Sequence, residues 1–191
     1  KKVSILAYCL LNNHFHFVMR VEDDEKIVTQ AFSNLFNAST KAFNKQNSRT
    51  GSLFEKHFKR KNINNENYLV AAIIYVHSNP FNHGVSKDYS SYSFSSYRHY
   101  IEETIPIHFS LDKEEVMNLF GSARDLIRTH QERVGVVDYK YLQGLEDLAG
   151  GETQIQNQKT MNTNNFNAKD KFYSYIQNLQ NTITSKLEAI D

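Results

Sequence analysis

A mixed fold, with strands first and helices after, is what this sequence predicts. Three stretches carry that prediction. Val3 to Leu11 is an apolar run of strand length, rich in residues that favour strands. His14 to Val21 alternates with the two-residue period of a strand. Lys26 to Asn47 then switches to the period of an amphipathic helix.

The composition sets outer limits. A chain of 191 residues, 40% hydrophobic and 23% charged, has the make-up of a soluble globular protein. Its length points to one domain with an appendage. Cys9 is the only cysteine, which excludes a disulfide framework and points to a reducing, cytoplasmic setting. No apolar run approaches the roughly 20 residues a membrane span needs, and no signal peptide is visible. The first strand starts at once, so further chain is expected upstream.

The elements follow in order. Asn12-Asn13 reads as a turn, because Asn tolerates unusual backbone angles. In the strand after it, residues two apart share a face. His14 and His16 therefore point one way, with Phe15, Phe17 and Met19 pointing the other. Two imidazoles on one stiff strand form half of a metal site. An edge strand with two half-exposed histidines is the alternative. The acidic run Glu22 to Glu25 suits the start of a helix better than a metal cluster.

In the helix over 26–47, Ile27, Ala31, Leu35, Ala38, Ala42 and Phe43 form the predicted buried stripe. Phe32 and Phe36 widen it. Ser48 to Gly51 breaks the helix, and Ser52 to Ile63 reads as a strand. Between Lys41 and Lys61 stand seven basic residues, opposed only by Glu55. In a chain of net charge +1 this is a candidate phosphate-binding surface, or else a solvated face.

Asn64-Asn65 caps a helix predicted over Glu66 to Ser78, apolar nearly all round and hence buried. Tyr75 and Asn79 are one turn apart on the same face. Pro80 is expected to end the element at Asn79. Residues 81–100 read as an ordered loop. Short helices are predicted over 111–120 and 123–134, and another over 138–148. Residues 150–169 are polar and linker-like, and 170–191 return to helical spacing.

Three stretches together resemble one family. Ala7-Tyr8-Cys9-Leu10-Leu11-Asn12-Asn13-His14-Phe15-His16-Phe17 comes first, then Thr50-Gly51-Ser52-Leu53-Phe54-Glu55-Lys56-His57-Phe58-Lys59, then Tyr75-Val76-His77-Ser78-Asn79-Pro80. In this order they are similar to the motifs of HUH single-tyrosine transposases, relatives of the insertion-sequence-200-like enzymes, and of their REP-associated branch in particular. The resemblance covers residues 3–121. Two departures stand out. Leu11-Asn12 replaces the family's Met-Pro, and Phe81-Asn82 stand where a basic residue is usual after Asn-Pro.

The resemblance implies a ferredoxin-like α+β fold with an antiparallel sheet and packed helices. It also implies a strand and helix before the first motif. Residues 1–121 would be the catalytic domain and 122–149 a helical extension, followed by a linker over 150–169 and a C-terminal helix over 170–191. His14, His16 and Asn79 would hold one divalent ion, Mg or Mn, and Tyr75 would attack phosphorus to leave a 5′-phosphotyrosine. The partner would be single-stranded, hairpin-forming DNA, bound by a monomer or homodimer. Lys56, Lys59, Arg60, Lys61 and Arg49 would meet its backbone, with Phe58, Tyr92 and Tyr97 as possible base platforms or core residues. His57, His77 and His83 are further possible ligands or phosphate contacts. Two other readings compete: a DNA-binding protein that no longer cuts, and a phosphodiesterase that uses water and does not need Tyr75.

Overall fold

The computed structural model describes residues 3–11, 14–54, 59–102 and 111–135. They form β1 (Val3–Leu10), β2 (Phe15–Val21), α1 (Glu25–Gln46), α2 (Glu66–Asn82), α3 (Tyr97–Ile101), α4 (Lys113–Phe120) and α5 (Ala123–Arg133). The class is α+β, with a two-stranded antiparallel sheet and five helices among the described residues. The Asn12-Asn13 turn and everything expected beyond residue 135 lie outside the described residues. The chain forms two compact units, one built mainly on residues 21–59 and the other on residues 4–20 and 60–135.

The first unit is dominated by α1. The Asp24 carboxylate caps it by accepting from the Lys26 backbone N–H at 2.8 Å. That is the role expected for an acid in this run. The buried stripe is rotated from its predicted position. Val28 and Ser39 are buried, while Ile27 and Ala38 are exposed. Ser39 can sit inside because its hydroxyl donates to the Leu35 carbonyl at 2.8 Å and needs no outside partner. The ring of Phe36 meets that of Phe54 at 5.0 Å.

The strand predicted over 52–63 does not form in its described part, residues 52–54 and 59–63. A strand needs its backbone groups free for a ladder. Here side chains take them. Asn44 Nδ2 donates to the Gly51 carbonyl at 2.8 Å, and Arg49 Nη2 to the Ser52 carbonyl at 2.9 Å. Gly51 makes this bend possible at φ +90°, a conformation that L side chains rarely adopt.

The second unit is built on β1. Leu6 to Leu11 are buried without a break, so both faces of the strand are covered. The Leu6, Tyr8 and Leu10 carbonyls lie along one edge. They accept from the Tyr100 hydroxyl, the Ser96 N–H (2.9 Å) and the Tyr92 hydroxyl (2.9 Å). The segment 92–100 therefore seals that edge, and the loop expected over 81–100 ends in α3 instead. At the hairpin, the Leu11 N–H donates to the His14 carbonyl at 2.8 Å.

Asn65 caps α2 by accepting from the Tyr68 N–H at 2.8 Å. The helix is buried from Ala71 to Pro80. It does not stop before Pro80 but continues to Asn82. In the last turn a proline costs a single ladder bond. The ends are closed by other donors: the His83 N–H reaches the Asn79 carbonyl at 3.0 Å, and the Val85 and Ser86 N–H groups reach that of Pro80 at 2.8 and 2.9 Å. Asp112 and Ser122 cap α4 and α5. Helix α5 packs on α3 and α4, and α4 on α2.

Candidate functional site

The alternation read from the sequence holds at the start of β2. The His14 and His16 rings lie 5.2 Å apart and nearly perpendicular. Phe15 and Phe17 pair with each other at 5.3 Å. Phe15 is half-buried rather than fully enclosed.

Helix α2 brings the Tyr75 ring to the histidine side and carries Asn79 one turn further on. The Tyr75 ring stands edge-on to that of His16, with centroids 5.7 Å apart. One turn on, Asn79 is fully buried, and its Nδ2 donates to the Tyr75 carbonyl at 3.0 Å. That bond fixes which amide atom is which, because a carbonyl needs a donor. Asn79 Oδ1 is left buried with no hydrogen-bond partner, and so is His16 Nε2. Such atoms are costly unless something outside the chain satisfies them.

Burial, and secondarily the neighbouring His14 and His83 rings, pushes the His16 imidazole down to about 4. Burial and then His83 lower His14 as well. Both rings are therefore neutral at pH 7 and keep a lone pair, the form that binds a cation. Among the described residues no group of three or more His, Cys, Asp or Glu side chains is placed to hold a metal. The donor set here is different: two imidazoles and one amide oxygen. Imidazole nitrogen and amide oxygen are both donor types that a divalent ion accepts. His83, at the C-terminal cap of α2, joins the group with its ring 5.0 Å from that of His14, and it is exposed.

The basic residues behave unevenly. Lys59, Arg60 and Lys61 are exposed. Lys61 Nζ lies 5.3 Å from the centre of the Tyr68 ring. Arg49 is held locally by Asn44 Oδ1 (3.1 Å), the Ser52 carbonyl and the face of Phe43. Lys56, His57 and Phe58 lie outside the described residues.

Tyr92 and Tyr97 belong to the core, so neither offers a face to a base. His77 is also core: fully buried, it bonds His130 and Ser96. The pairing with His130 had no local signal in the sequence, because 53 residues separate the two. His83 did have one. It stands four residues after Asn79, the same interval that separates Tyr75 from Asn79.

No protein-family model, curated protein or solved structure matches this chain. Among the described residues no helix is long and apolar enough to cross a membrane.

Proposed function

We propose that this protein cuts and rejoins single-stranded DNA, with Tyr75 as the nucleophile and His14, His16 and Asn79 as ligands of one divalent ion, Mg or Mn. The observation that supports it best is the pair of orphaned atoms, His16 Nε2 and Asn79 Oδ1. They belong to the residues that flank Tyr75 in space and on its helix. On this reading the two-stranded sheet and α2 are parts of a ferredoxin-like core.

The bound ion would polarise the scissile phosphodiester and steady the departing oxygen. The chain's own residues do the rest. His14 and His16, neutral through burial, supply nitrogen lone pairs. Asn79 turns its carbonyl oxygen outward from the helix backbone because its Nδ2 is tied to the Tyr75 carbonyl. On this reading the Tyr75 ring, held in the core, would supply a nucleophilic oxygen with little rotational freedom to lose. That oxygen forms a bond to phosphorus while the bond from phosphorus to the 3′ oxygen breaks. The phenol gives up one proton and the 3′ oxygen gains one. The phosphodiester energy is conserved in the 5′-phosphotyrosine, so a second strand's 3′-OH can reverse the step without ATP. On this reading the exposed Arg60 and Lys61 would neutralise backbone phosphates.

One observation favours a second reading. Tyr75 is only 4% exposed. A protein that binds DNA without cutting it would use this tyrosine for packing alone. Incubation with hairpin-forming single-stranded DNA and Mn separates the two. A covalent adduct that maps to Tyr75 supports strand transfer, binding without adduct supports the second reading, and cleavage without adduct makes the protein a water-using phosphodiesterase.

A further inference from the structure

Beneath the candidate site runs a chain of buried hydrogen bonds. His130 Nδ1 lies 2.8 Å from the Leu126 carbonyl. His130 Nε2 lies 2.9 Å from His77 Nδ1, with the two rings only 27° from coplanar. His77 Nε2 lies 2.8 Å from Ser96 Oγ, which also accepts from the Tyr8 N–H at 2.9 Å. His77, Ser96 and His130 are all fully buried.

The partners fix the protons. A carbonyl can only accept, so His130 carries its proton on Nδ1. A neutral His130 then accepts at Nε2, so His77 donates from Nδ1. His77 in turn accepts at Nε2 from the Ser96 hydroxyl, whose one proton favours this 2.8 Å contact over the Tyr8 carbonyl at 3.3 Å. Reversing the order would put two protons on His130 and a cation in the core, which burial opposes. The direction is therefore single: Tyr8 N–H to Ser96, Ser96 to His77, His77 to His130, His130 to the Leu126 carbonyl.

This chain crosses four parts of the unit: β1, the residue before α3, the middle of α2, and α5. His77 sits between Tyr75 and Asn79, two residues from each. At 3.6 residues per turn it faces roughly opposite to both. A bond on that side sets the rotation of α2 about its own axis, and so the aim of the Tyr75 and Asn79 side. Helix α5 also lies outside residues 3–121, the stretch that carries the family resemblance.

We propose that His130 is a positioning residue for the site: through His77 it sets the rotation of α2 that brings Tyr75 beside His16, with Asn79 one turn on along the same helix face. The link to activity rests on the proposed function; the link to geometry does not.

The test uses the full chain labelled with nitrogen-15, as wild type, His130→Gln and His130→Ala. Glutamine keeps an acceptor where His130 Nε2 stands. The wild type is expected to show nitrogen–nitrogen coupling across the His77–His130 hydrogen bond. His130→Ala is expected to shift the His16 ring and Asn79 side-chain signals, with His130→Gln returning them towards wild type. Adduct formation should fall by about tenfold to a hundredfold in His130→Ala, the scale for residues that orient metal ligands. DNA affinity should hold, and His130→Gln should recover much of the rate. Absence of the coupling in wild type overturns the proposal even if the alanine variant does not fold. So do wild-type His16 and Asn79 signals in a folded His130→Ala. Should wild type form no adduct, the strand-transfer reading fails, and the coupling and signals still decide the positioning.

Discussion

The Tyr75 ring meets the His16 ring edge to face, with 5.7 Å between centroids. The contact ties a strand to a helix that begins 50 residues later. It places the one tyrosine of α2 with an Asn one turn ahead beside the half-buried histidine whose Nε2 is enclosed without a hydrogen bond. Tyr68, the other tyrosine of α2, has its hydroxyl buried and without a hydrogen-bond partner, and its ring lies under Lys61.

Tyr75→Phe keeps this ring contact and removes only a hydroxyl. Stability by urea unfolding should stay near that of wild type, within roughly 1.5 kcal/mol, the usual worth of one hydrogen bond. DNA binding should also persist. Adduct formation with hairpin DNA should vanish. Peptide mapping of the wild-type adduct gives the check: a nucleotide on Tyr68 would move the nucleophile there.

His14→Ala combined with His16→Ala should abolish Mn binding, read by calorimetric titration of the DNA-free protein. The fold should survive. His16 Nε2 makes no hydrogen bond, so its loss leaves no new unsatisfied partner. DNA affinity should change little, since the exposed basic residues remain. Wild-type Mn affinity in the double variant would end the metal assignment.

The exposed cations predict a salt dependence. Each phosphate contact to single-stranded DNA contributes about 0.7 to the slope of log affinity against log salt. Arg60→Ala with Lys61→Ala should flatten the slope by about 1.4 if both touch the backbone. Arg49→Ala should leave the slope nearly unchanged, because its guanidinium is occupied by Asn44 and the Ser52 carbonyl. An unaltered slope in the double variant would return Arg60 and Lys61 to an ordinary solvated face.

Acid should destabilise the protein through its buried histidines. Burial lowers His130 to about 4, and lowers His77 well below the ordinary histidine value of 6.5. The folded state keeps these rings neutral while the unfolded chain takes up protons below pH 6.5. Their contribution to stability is therefore complete above 6.5 and falls as pH drops towards 4. Stability should fall steadily with each pH unit across that window. Urea midpoints measured from pH 7.5 to 4.5 should trace this limb, and His130→Gln should make it shallower. A limb as steep in the variant as in wild type would remove His130 as a cause.

The sequence by itself determined what local periodicity and capping encode. The two-residue alternation after Asn13 put His14 and His16 on one side and Phe15 and Phe17 on the other, because a pleated strand has no alternative. Asn65 announced its helix as a cap and the acidic run 22–25 announced the other by its charge, with Asp24 the acid that takes the cap position. The interval from Tyr75 to Asn79 gave a shared face. Tertiary structure decided the rest. Ser52 onward looks like a strand, yet the Arg49 side chain, three residues earlier, takes the Ser52 carbonyl, and Asn44 takes that of Gly51 just before it, which strand periodicity does not report. Pro80 marks an end, yet the helix passes it because groups beyond the helix close the last turn. Ser39 lies on the buried face of α1, its hydroxyl satisfied by its own helix backbone. The meeting of Tyr75 with His16, and of His77 with His130, joins residues 59 and 53 positions apart. Such pairs are chosen by packing and by the demand that buried polar groups find partners, and that demand is met only once the chain has closed on itself.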